Sequence, residues 1–277
     1  AKIDNHEDSL PLFFLQALIN DPKIQKKAAK SMNSSVYPKK FDLPPVKKYF
    51  KHKKIRIGYF SADFREHPVS DLVVELLEEH NRSRFKVYAF YFGPATKDKM
   101  NLRIKNGVDH YYDIGSMSDK EAAIFARTHE LDIAIDLGGY TKDARTEIFA
   151  MSLAAIQVSY LGFTATMGSN YMDYIIADQV VIPRENQHYY SESITYLPNS
   201  YMVNDSKIKA SNKTYTKNDF NLPDSGFIFC CFNNHYKITP DVFACWMRIL
   251  SQVNGSVLWL AEAHKVTNNN LKKEAKK

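Results

Sequence analysis

Short apolar runs alternate with helical patterns along most of the chain. The helical patterns, in which apolar residues recur every three to four positions, cover 69–80 and 119–130. The apolar runs are rich in β-branched and aromatic residues and predict strands at 55–60, 85–92, 131–137, 155–163 and 174–182. Parallel strands need a crossover connection, which is commonly a helix. The alternation therefore predicts an α/β fold, with a parallel sheet covered by helices on both faces.

A second unit of the same kind follows a polar stretch at 211–226. It has a strand pattern at 227–232, a helix pattern at 239–253 and another strand pattern at 256–262, and it ends in a polar tail, "NNNLKKEAKK". One βαβ unit cannot bury both faces of its own sheet. We therefore expect this unit to be the start of a second lobe that is truncated here.

The beginning of the chain has a different character. Residues 9–32 have a helical pattern with Asp21 and Pro22 as a helix-start pair, whereas residues 33–54 carry three of the eleven prolines and no helical period. We accordingly predict three regions, a helical segment with a linker over 1–50, an α/β lobe over 51–212, and the incomplete unit over 213–277.

The net charge of +6 is concentrated at the beginning of the chain. Residues 1–56 hold 13 Lys and Arg against 5 Asp and Glu, a balance of +8 that leaves −2 for the rest. A nucleic-acid-binding protein usually places basic and aromatic residues together across its main fold. The charge pattern therefore favours a solvated basic helix and linker over a nucleic-acid interface.

The apolar runs and the cysteines indicate a cytoplasmic protein. Every apolar run is well short of the roughly 20 residues that cross a bilayer, and the polar start lacks the pattern of a secretory signal. The three cysteines, Cys230, Cys231 and Cys245, have no metal-ligand spacing. We expect reduced thiols and no membrane span.

Ligands of doubly wound sheets bind at the carboxyl ends of the strands, so the loops there are the places to search. The first is "SADFREHPVSDL" at 61–72. Pro68 suits the first position of a helix, which places His67 at the N-cap and Asp63 on the approach from the strand. The positive end of the helix favours a neutral imidazole. His67 is either a catalytic group or only a cap.

The second loop is "LGGYTKDAR" at 137–145. Adjacent glycines, including Gly139, let backbone N–H groups approach an anion closely. Side-chain donors beside them are Thr141, Lys142 and Arg145. A plain strand-to-helix turn is the alternative, because the motif is neither a Walker A loop nor a dinucleotide fingerprint.

The third loop is "FNNHYKITP" at 232–240. Thr239 and Pro240 form an N-cap and first helical residue. Asn233 and Asn234 suit hydrogen bonds to a nucleoside, and Lys237 suits the neutralisation of a phosphate. Solvated polar residues in a connecting loop are the alternative.

Four blocks taken in order resemble the protein O-linked N-acetylglucosamine transferase family, in particular its bacterial members attached to tetratricopeptide repeats. They are "GYFSADFREHPVSDL", "DLGGYTKDARTEIFA", "AAIQVSYLGFTATMGSNYMDYIIAD" and "FNNHYKITPDVFACWMRILSQVNGSVLWL". The resemblance implies a GT-B fold, in which two Rossmann-like lobes face a cleft. It also implies inverting transfer of N-acetylglucosamine from the nucleotide sugar UDP-GlcNAc to a Ser or Thr hydroxyl of an acceptor protein, with no metal or other cofactor.

The resemblance also assigns roles to individual residues. Lys237 falls on the cation that neutralises the departing diphosphate, and Asn234 falls on a donor-contacting position. His67 falls on a histidine that positions donor and acceptor, with base catalysis open, and Asp63 on an acid proposed to relay the proton. Tyr140 matches a tyrosine near the acceptor. Gly139 and Thr141, in the same block as Tyr140, are expected on the donor side.

The sequence departs from the family pattern at several positions. The "YPGTSG"-like loop of the family is "FTATMG" here, Glu66 replaces Asn and Val69 replaces Thr of animal members, and His6 is only a loose counterpart of an upstream family histidine. Two alternatives stay open, a SPINDLY-like protein O-fucosyltransferase that uses GDP-fucose, and a non-catalytic interaction module. Because most of the donor lobe is missing, we expect negligible transfer by this chain alone.

Overall fold

The structure, a computed structural model, describes residues 11–36, 43–44, 46 and 52–277. The chain divides into two compact units with a boundary between Ile208 and Lys209, close to the 212/213 boundary expected from the sequence. His6 and most of the predicted linker lie outside the described residues. Each unit is described by itself.

The first unit is a seven-stranded sheet. Its strands are β1 (Ile55–Ser61), β2 (Phe85–Tyr91), β3 (His110–Asp113), β4 (Ile133–Asp136), β5 (Ile156–Ser159), β6 (Tyr174–Ala177) and β7 (Ser193–Tyr196). The spatial order is β3-β2-β1-β4-β5-β6-β7, and all six pairings are parallel. The predicted α/β fold class with a Rossmann-like lobe is confirmed.

Helices cover both faces of this sheet. They are α1 (Leu12–Leu18), α2 (Pro22–Val36), α3 (Pro68–Glu79), α4 (Lys99–Gly107), α5 (Asp119–Thr128) and α6 (Thr146–Ala150). One core contains Val74 and Leu77 of α3, and the other contains Ala126 of α5; all three residues are fully buried. Because both faces are covered, β1 and β2 are buried over their last five residues, as apolar runs in a parallel sheet require.

Two sequence predictions of the first unit differ from the structure. The run predicted as a strand over 174–182 ends at Ala177, because the Asp178 carboxylate accepts hydrogen bonds from the N–H groups of Val180 and Val181 at 2.9 and 2.8 Å and turns the chain. The helical pattern over 9–32 is two helices among its described residues. Asp21 begins the second one, since its Oδ1 accepts from the N–H groups of residues 23 and 24.

The second unit contains the predicted βαβ arrangement. Strands β8 (Ile228–Cys231) and β9 (Val257–Leu260) are parallel neighbours joined by α7 (Pro240–Gln252), and α8 (Lys265–Glu274) follows. The polar tail at 268–277 lies largely inside α8, a helix that the sequence pattern did not predict. Asn268 stabilises the start of this helix, because its side chain exchanges two hydrogen bonds with the backbone of Ala263.

In the parts of the chain that the structure describes, none of the helices combines the length and the apolar character that a membrane crossing needs.

Candidate functional site

The loops that follow β1, β4 and β5 lie side by side at the carboxyl edge of the first sheet. The strand register places Phe60 opposite Asp136, and Asp136 opposite Ser159. The Leu137 N–H donates to the Phe60 carbonyl at 3.1 Å just beyond the last pair. Gly162 lies so close that a Cβ there would be 2.1 Å from the Leu137 carbonyl oxygen. The close backbone packing makes this edge one continuous surface.

His67 is the N-cap of α3, as the sequence predicted. Its backbone is extended, with φ −160°, and its Nδ1 accepts a hydrogen bond from the Val69 N–H at 3.2 Å. Pro68 is the first helical residue. The imidazole is 32% exposed, so it caps the helix and is also open to a ligand.

Asp63 is held firmly beside His67. Its N–H donates to Ser61 Oγ at 2.9 Å, and Ser70 Oγ donates to its carbonyl at 2.5 Å. The carboxylate has Oδ2 at 3.6 Å from His67 Nδ1 and Oδ1 at 3.3 Å from Arg65 Nη2. The structure therefore brings the two predicted residues together and adds Arg65 as a third member.

Opposing effects act on the Asp63 carboxyl. Burial raises its pKa above the ordinary value, whereas the charges of His67 and Arg65 lower it. The negative charge of Asp143, from the loop after β4, raises it further. The loops after β1 and β4 are therefore coupled electrostatically as well as by backbone packing.

The glycine pair after β4 makes its hydrogen bonds within the protein, and the donor-side role of Gly139 stays a prediction. The N–H groups of Gly138 and Gly139 both donate to Asp136 Oδ1, at 2.8 and 3.1 Å, so they are occupied inside the protein instead of being offered to an anion. Gly139 has φ +58°, and a Cβ there would lie 2.4 Å from Phe163 Cβ. Its glycine identity follows from backbone conformation and packing. Burial raises the pKa of Asp136 to about 6, against the effect of these two hydrogen bonds.

The two cationic side chains of this loop differ. Arg145 makes hydrogen bonds within the protein, whereas Lys142 is exposed to solvent. Arg145 donates to Asp119 Oδ1 and to the carbonyls of Ile114 and Met117 at 2.5, 3.0 and 2.7 Å, so these donors fix the segment after β3 and are not open to a ligand. Lys142 is exposed and Thr141 is partly buried. The donor-side role of Thr141 stays a prediction.

Tyr140 is a structural residue in this arrangement. It is 6% exposed, and its hydroxyl donates to the Met167 carbonyl at 2.8 Å. Its ring packs edge-on against Phe163, with the ring centroids 5.4 Å apart. The buried hydroxyl ties the loop after β4 to the loop after β5, and the position of Tyr140 near the acceptor stays a prediction.

The "FTATMG" segment is well fixed although it lacks the family proline. The buried carboxylate of Glu192 accepts hydrogen bonds from Thr166 Oγ1 and from the Met167 N–H, both at 2.6 Å. Gly168 has φ +63° and lies against α2, where a Cβ would be 2.6 Å from the Lys30 nitrogen. Side-chain and helix contacts thus hold the segment.

In the second unit, Asn234 and Lys237 lie in the loop after β8. Asn234 precedes a 3₁₀ turn, His235–Lys237, and both of the predicted side chains are exposed. His235 Nε2 is 2.8 Å from the Ala261 carbonyl, just after β9, which holds the turn at the carboxyl edge of the second sheet.

The amino end of α7 lies beside this turn. Thr239 is its N-cap and Pro240 its first residue, as predicted, but the Thr239 side chain makes no capping hydrogen bond. Polar N–H groups of the first helical turn therefore lie next to Lys237. His67 and Lys237 belong to different units, and each is placed within its own.

Three charged residues of the site, Arg65, Asp136 and Asp143, were missed by sequence reasoning. The role of Asp136 could have been predicted from the sequence, because an Asp that ends a buried strand before two glycines often accepts hydrogen bonds from the next N–H groups. Arg65 lies two residues from Asp63, but no sequence pattern marked their ion pair, and the influence of Asp143 depends on the packing of two loops. Among the described residues, no group of three or more His, Cys, Asp or Glu side chains is arranged to hold a metal ion.

Comparison with known proteins gives consistent matches. The sequence model of glycosyl transferase family 41 matches residues 35–214 and 206–277. A probable UDP-N-acetylglucosamine–peptide N-acetylglucosaminyltransferase SEC of Arabidopsis thaliana is 39% identical over 239 residues, which are 82% of this chain and 24% of that protein. A probable UDP-N-acetylglucosamine–peptide N-acetylglucosaminyltransferase SPINDLY of Oryza sativa subsp. japonica is 33% identical over 207 residues, 73% of this chain and 22% of that protein.

Among solved structures, a mutant of the Thermobaculum terrenum O-GlcNAc transferase superposes with a TM-score of 0.79 at 25% identity, over 92% of this chain and 48% of that one. This likeness confirms the predicted GT-B-type fold class. The chain spans about a quarter of the length of these curated relatives and about half of the solved structure. Since the family model covers nearly all of the chain from residue 35 onward, the protein belongs to glycosyl transferase family 41.

Proposed function

We propose that this chain supplies the acceptor-side lobe and the start of the donor lobe of a protein O-GlcNAc transferase. The enzyme would transfer N-acetylglucosamine from UDP-GlcNAc to a Ser or Thr hydroxyl of an acceptor protein. The single observation that carries the proposal is the match to the SEC relative, which has a higher identity and covers more of this chain than the SPINDLY match.

The chemistry needs positive charge where the diphosphate leaves. As the bond between the sugar and the diphosphate breaks, the sugar gains oxocarbenium character and the leaving group gains negative charge. Lys237 and the N–H groups at the amino end of α7 provide a cation and the positive end of a helix dipole. We propose that these groups bind the diphosphate without a metal ion, with Asn234 beside them on the nucleoside.

On the first unit, we propose that His67 positions the acceptor hydroxyl and the sugar. With Nδ1 accepting from Val69, a neutral imidazole carries its proton on Nε2 and serves as a donor. Attack from the face opposite the diphosphate inverts the anomeric centre, and the hydroxyl proton leaves to a base. That base is His67 Nε2 once the ring proton lies on Nδ1, and Asp63, with Oδ2 3.6 Å from Nδ1, then relays the proton.

The family resemblance also leads us to propose a cytoplasmic enzyme with tetratricopeptide repeats upstream of this region. A second candidate function is fucosyl transfer from GDP-fucose, the activity implied by the SPINDLY-type resemblance. The two candidates differ in the nucleotide, so nucleotide preference separates them without knowledge of the acceptor.

Calorimetric titration of the chain with UDP and with GDP tests the proposal. We expect saturable UDP binding that weakens about tenfold or more in Lys237→Ala, because a charge-assisted contact to phosphate is lost. Lys213→Ala, which removes another exposed lysine of the second unit, is the matched control and should bind as the wild type does. Tighter binding of GDP would favour the fucosyl reaction. Binding that is equal in Lys237→Ala and the wild type would contradict the assigned donor site.

A further inference from the structure

The carboxylate of Asp63 lies between two side chains that compete for it. Arg65 Nη2 is 3.3 Å from Oδ1, and His67 Nδ1 is 3.6 Å from Oδ2. The backbone of Asp63 is fixed on both sides of the residue, by Ser61 Oγ at its N–H and by Ser70 Oγ at its carbonyl. Only side-chain rotation can therefore bring the carboxylate closer to one neighbour or the other.

The position of the imidazole proton depends on which contact His67 Nδ1 makes. Accepting from the Val69 N–H, at 3.2 Å, requires a lone pair on Nδ1 and places the proton of the neutral ring on Nε2. Donating to Asp63 requires the proton on Nδ1 and leaves the lone pair on Nε2. The first state makes Nε2 a hydrogen-bond donor, whereas the second makes it a base.

We propose that Arg65 is a positioning residue that keeps His67 in the Nε2–H state by holding the Asp63 carboxylate on its own side. The distances support this preference of the Asp63 carboxylate for Arg65 over His67, since the Arg65 contact is the shorter of the two. Arginine is always charged, so its hold on a carboxylate does not depend on pH.

Two further observations make Arg65 more than a surface cation. Its Nε is buried and has no hydrogen-bond partner among the described residues. Part of the guanidinium therefore lies inside the site with this donor unpaired. Asp143 adds negative charge near Asp63 from the neighbouring loop, which favours retention of a cation there. Arg65 therefore contributes to the electrostatic environment of the Asp63 and His67 pair.

The functional consequence rests on the proposed glycosyl transfer. In the resting site His67 would orient the acceptor or the sugar as a donor, and base catalysis would require the Asp63 carboxylate to rotate from Arg65 to His67. Arg65 thereby sets how readily His67 is converted from a positioning group to a base.

The test is nuclear magnetic resonance of the ¹⁵N-labelled chain at pH 8, which needs neither donor nor acceptor. Long-range ¹H–¹⁵N correlations report which ring nitrogen of His67 carries the proton, and the signals are assigned by their loss in His67→Gln. We expect the Nε2–H form to dominate in the wild type. In Arg65→Gln the ratio of Nδ1–H to Nε2–H should rise about fivefold or more, the effect of one hydrogen bond gained.

Matched variants keep the result interpretable. Arg65→Lys should restore the wild-type ratio, and Arg84→Gln, an exposed arginine at the start of β2, should not change it. If Arg65→Gln does not fold, Asp63→Asn gives the second measurement, since it removes the competing carboxylate and should retain the Nε2–H form.

Two outcomes would overturn the proposal, an Nδ1–H form that dominates in the wild type, or an unchanged ratio in folded Arg65→Gln. An Nδ1–H form that dominates in Asp63→Asn would overturn it as well. The nucleotide titration of Lys237→Ala fails or succeeds separately, so the two proposals are distinguishable.

Discussion

Gly139 lies directly against Phe163, so closely that a Cβ at Gly139 would come within 2.4 Å of Phe163 Cβ. The same glycine has φ +58°, a conformation that is strained for other residues. Gly139→Ala should therefore lower the free energy of unfolding by about 2 to 4 kcal/mol, the sum of backbone strain and overpacking. Urea unfolding followed by circular dichroism measures this change.

The preceding glycine gives a matched control. A Cβ at Gly138 would be 3.4 Å from Thr141 Oγ1 and 3.5 Å from Asp136 Oδ1, which are ordinary contacts. Gly138→Ala should change the free energy of unfolding by less than about 1 kcal/mol. Equal losses in the two variants would show that packing against Phe163 does not explain the requirement for Gly139.

The buried Asp136 predicts a definite pH dependence of stability. Its folded pKa of about 6 exceeds the ordinary 3.8, so the folded state binds the proton more tightly than the unfolded state does. The resulting stability is fully present below about pH 4 and is lost as pH rises through 6. Asp136→Asn keeps an oxygen that accepts from Gly138 and Gly139 and carries no charge. Relative to the wild type, it should gain up to about 3 kcal/mol between pH 4 and pH 8.

Thermal unfolding of wild type and Asp136→Asn over this pH range measures the difference. Other carboxyls and histidines titrate in both proteins and cancel in the subtraction. Asp224→Asn, at an exposed carboxylate of the second unit, should show the same pH dependence as the wild type. A difference between Asp136→Asn and the wild type that stays constant with pH would contradict the buried, proton-binding state of Asp136.

Arg145 is predicted to support the fold and not to bind a ligand. Arg145→Ala removes the donors to Asp119 and to the carbonyls of Ile114 and Met117. It should lower the free energy of unfolding by about 2 to 4 kcal/mol, because partly buried acceptors lose charged donors.

Lys142→Ala, three residues earlier in the same loop, removes an exposed cation and should stay within about 0.5 kcal/mol of the wild type. If instead Arg145→Ala left stability unchanged and only weakened ligand binding, the original interpretation of Arg145 as a ligand donor would be restored. Urea unfolding and the UDP titration together separate the two cases.

The parts of the fold that the sequence predicted are those whose pattern comes from burial on both sides. The run at 55–60 became β1 because both of its faces are covered. The strand β3, by contrast, has only four residues at the edge of the sheet, where its side chains are partly exposed and leave no apolar run. The helix α8 was not predicted, because it has few apolar residues and therefore no clear hydrophobic periodicity. The hydrogen bond from Asn268 that stabilises its start leaves no such pattern either.

The same distinction applies to the site. The capping role of His67 follows from its immediate neighbour Pro68, so the sequence was sufficient. The hydrogen bond of Tyr140 to Met167, 27 residues later, and the effect of Asp143 on the Asp63 carboxyl from another loop did not follow from the sequence. Such contacts are set by the packing of loops against each other, which spacing along one chain does not encode.

The order of the strands has a consequence for synthesis of the chain. β1 is an interior strand of the sheet, between β2 and β4, and its Phe60 pairs with Asp136, 76 residues later. At roughly 5 to 20 residues per second, a ribosome needs about 4 to 15 s to make that stretch. β2 is made early in this stretch and can pair with one edge of β1, whereas the backbone groups of the other edge have no partner until β4 is made. The nascent chain is therefore open to strand addition and aggregation for seconds before β1 is enclosed.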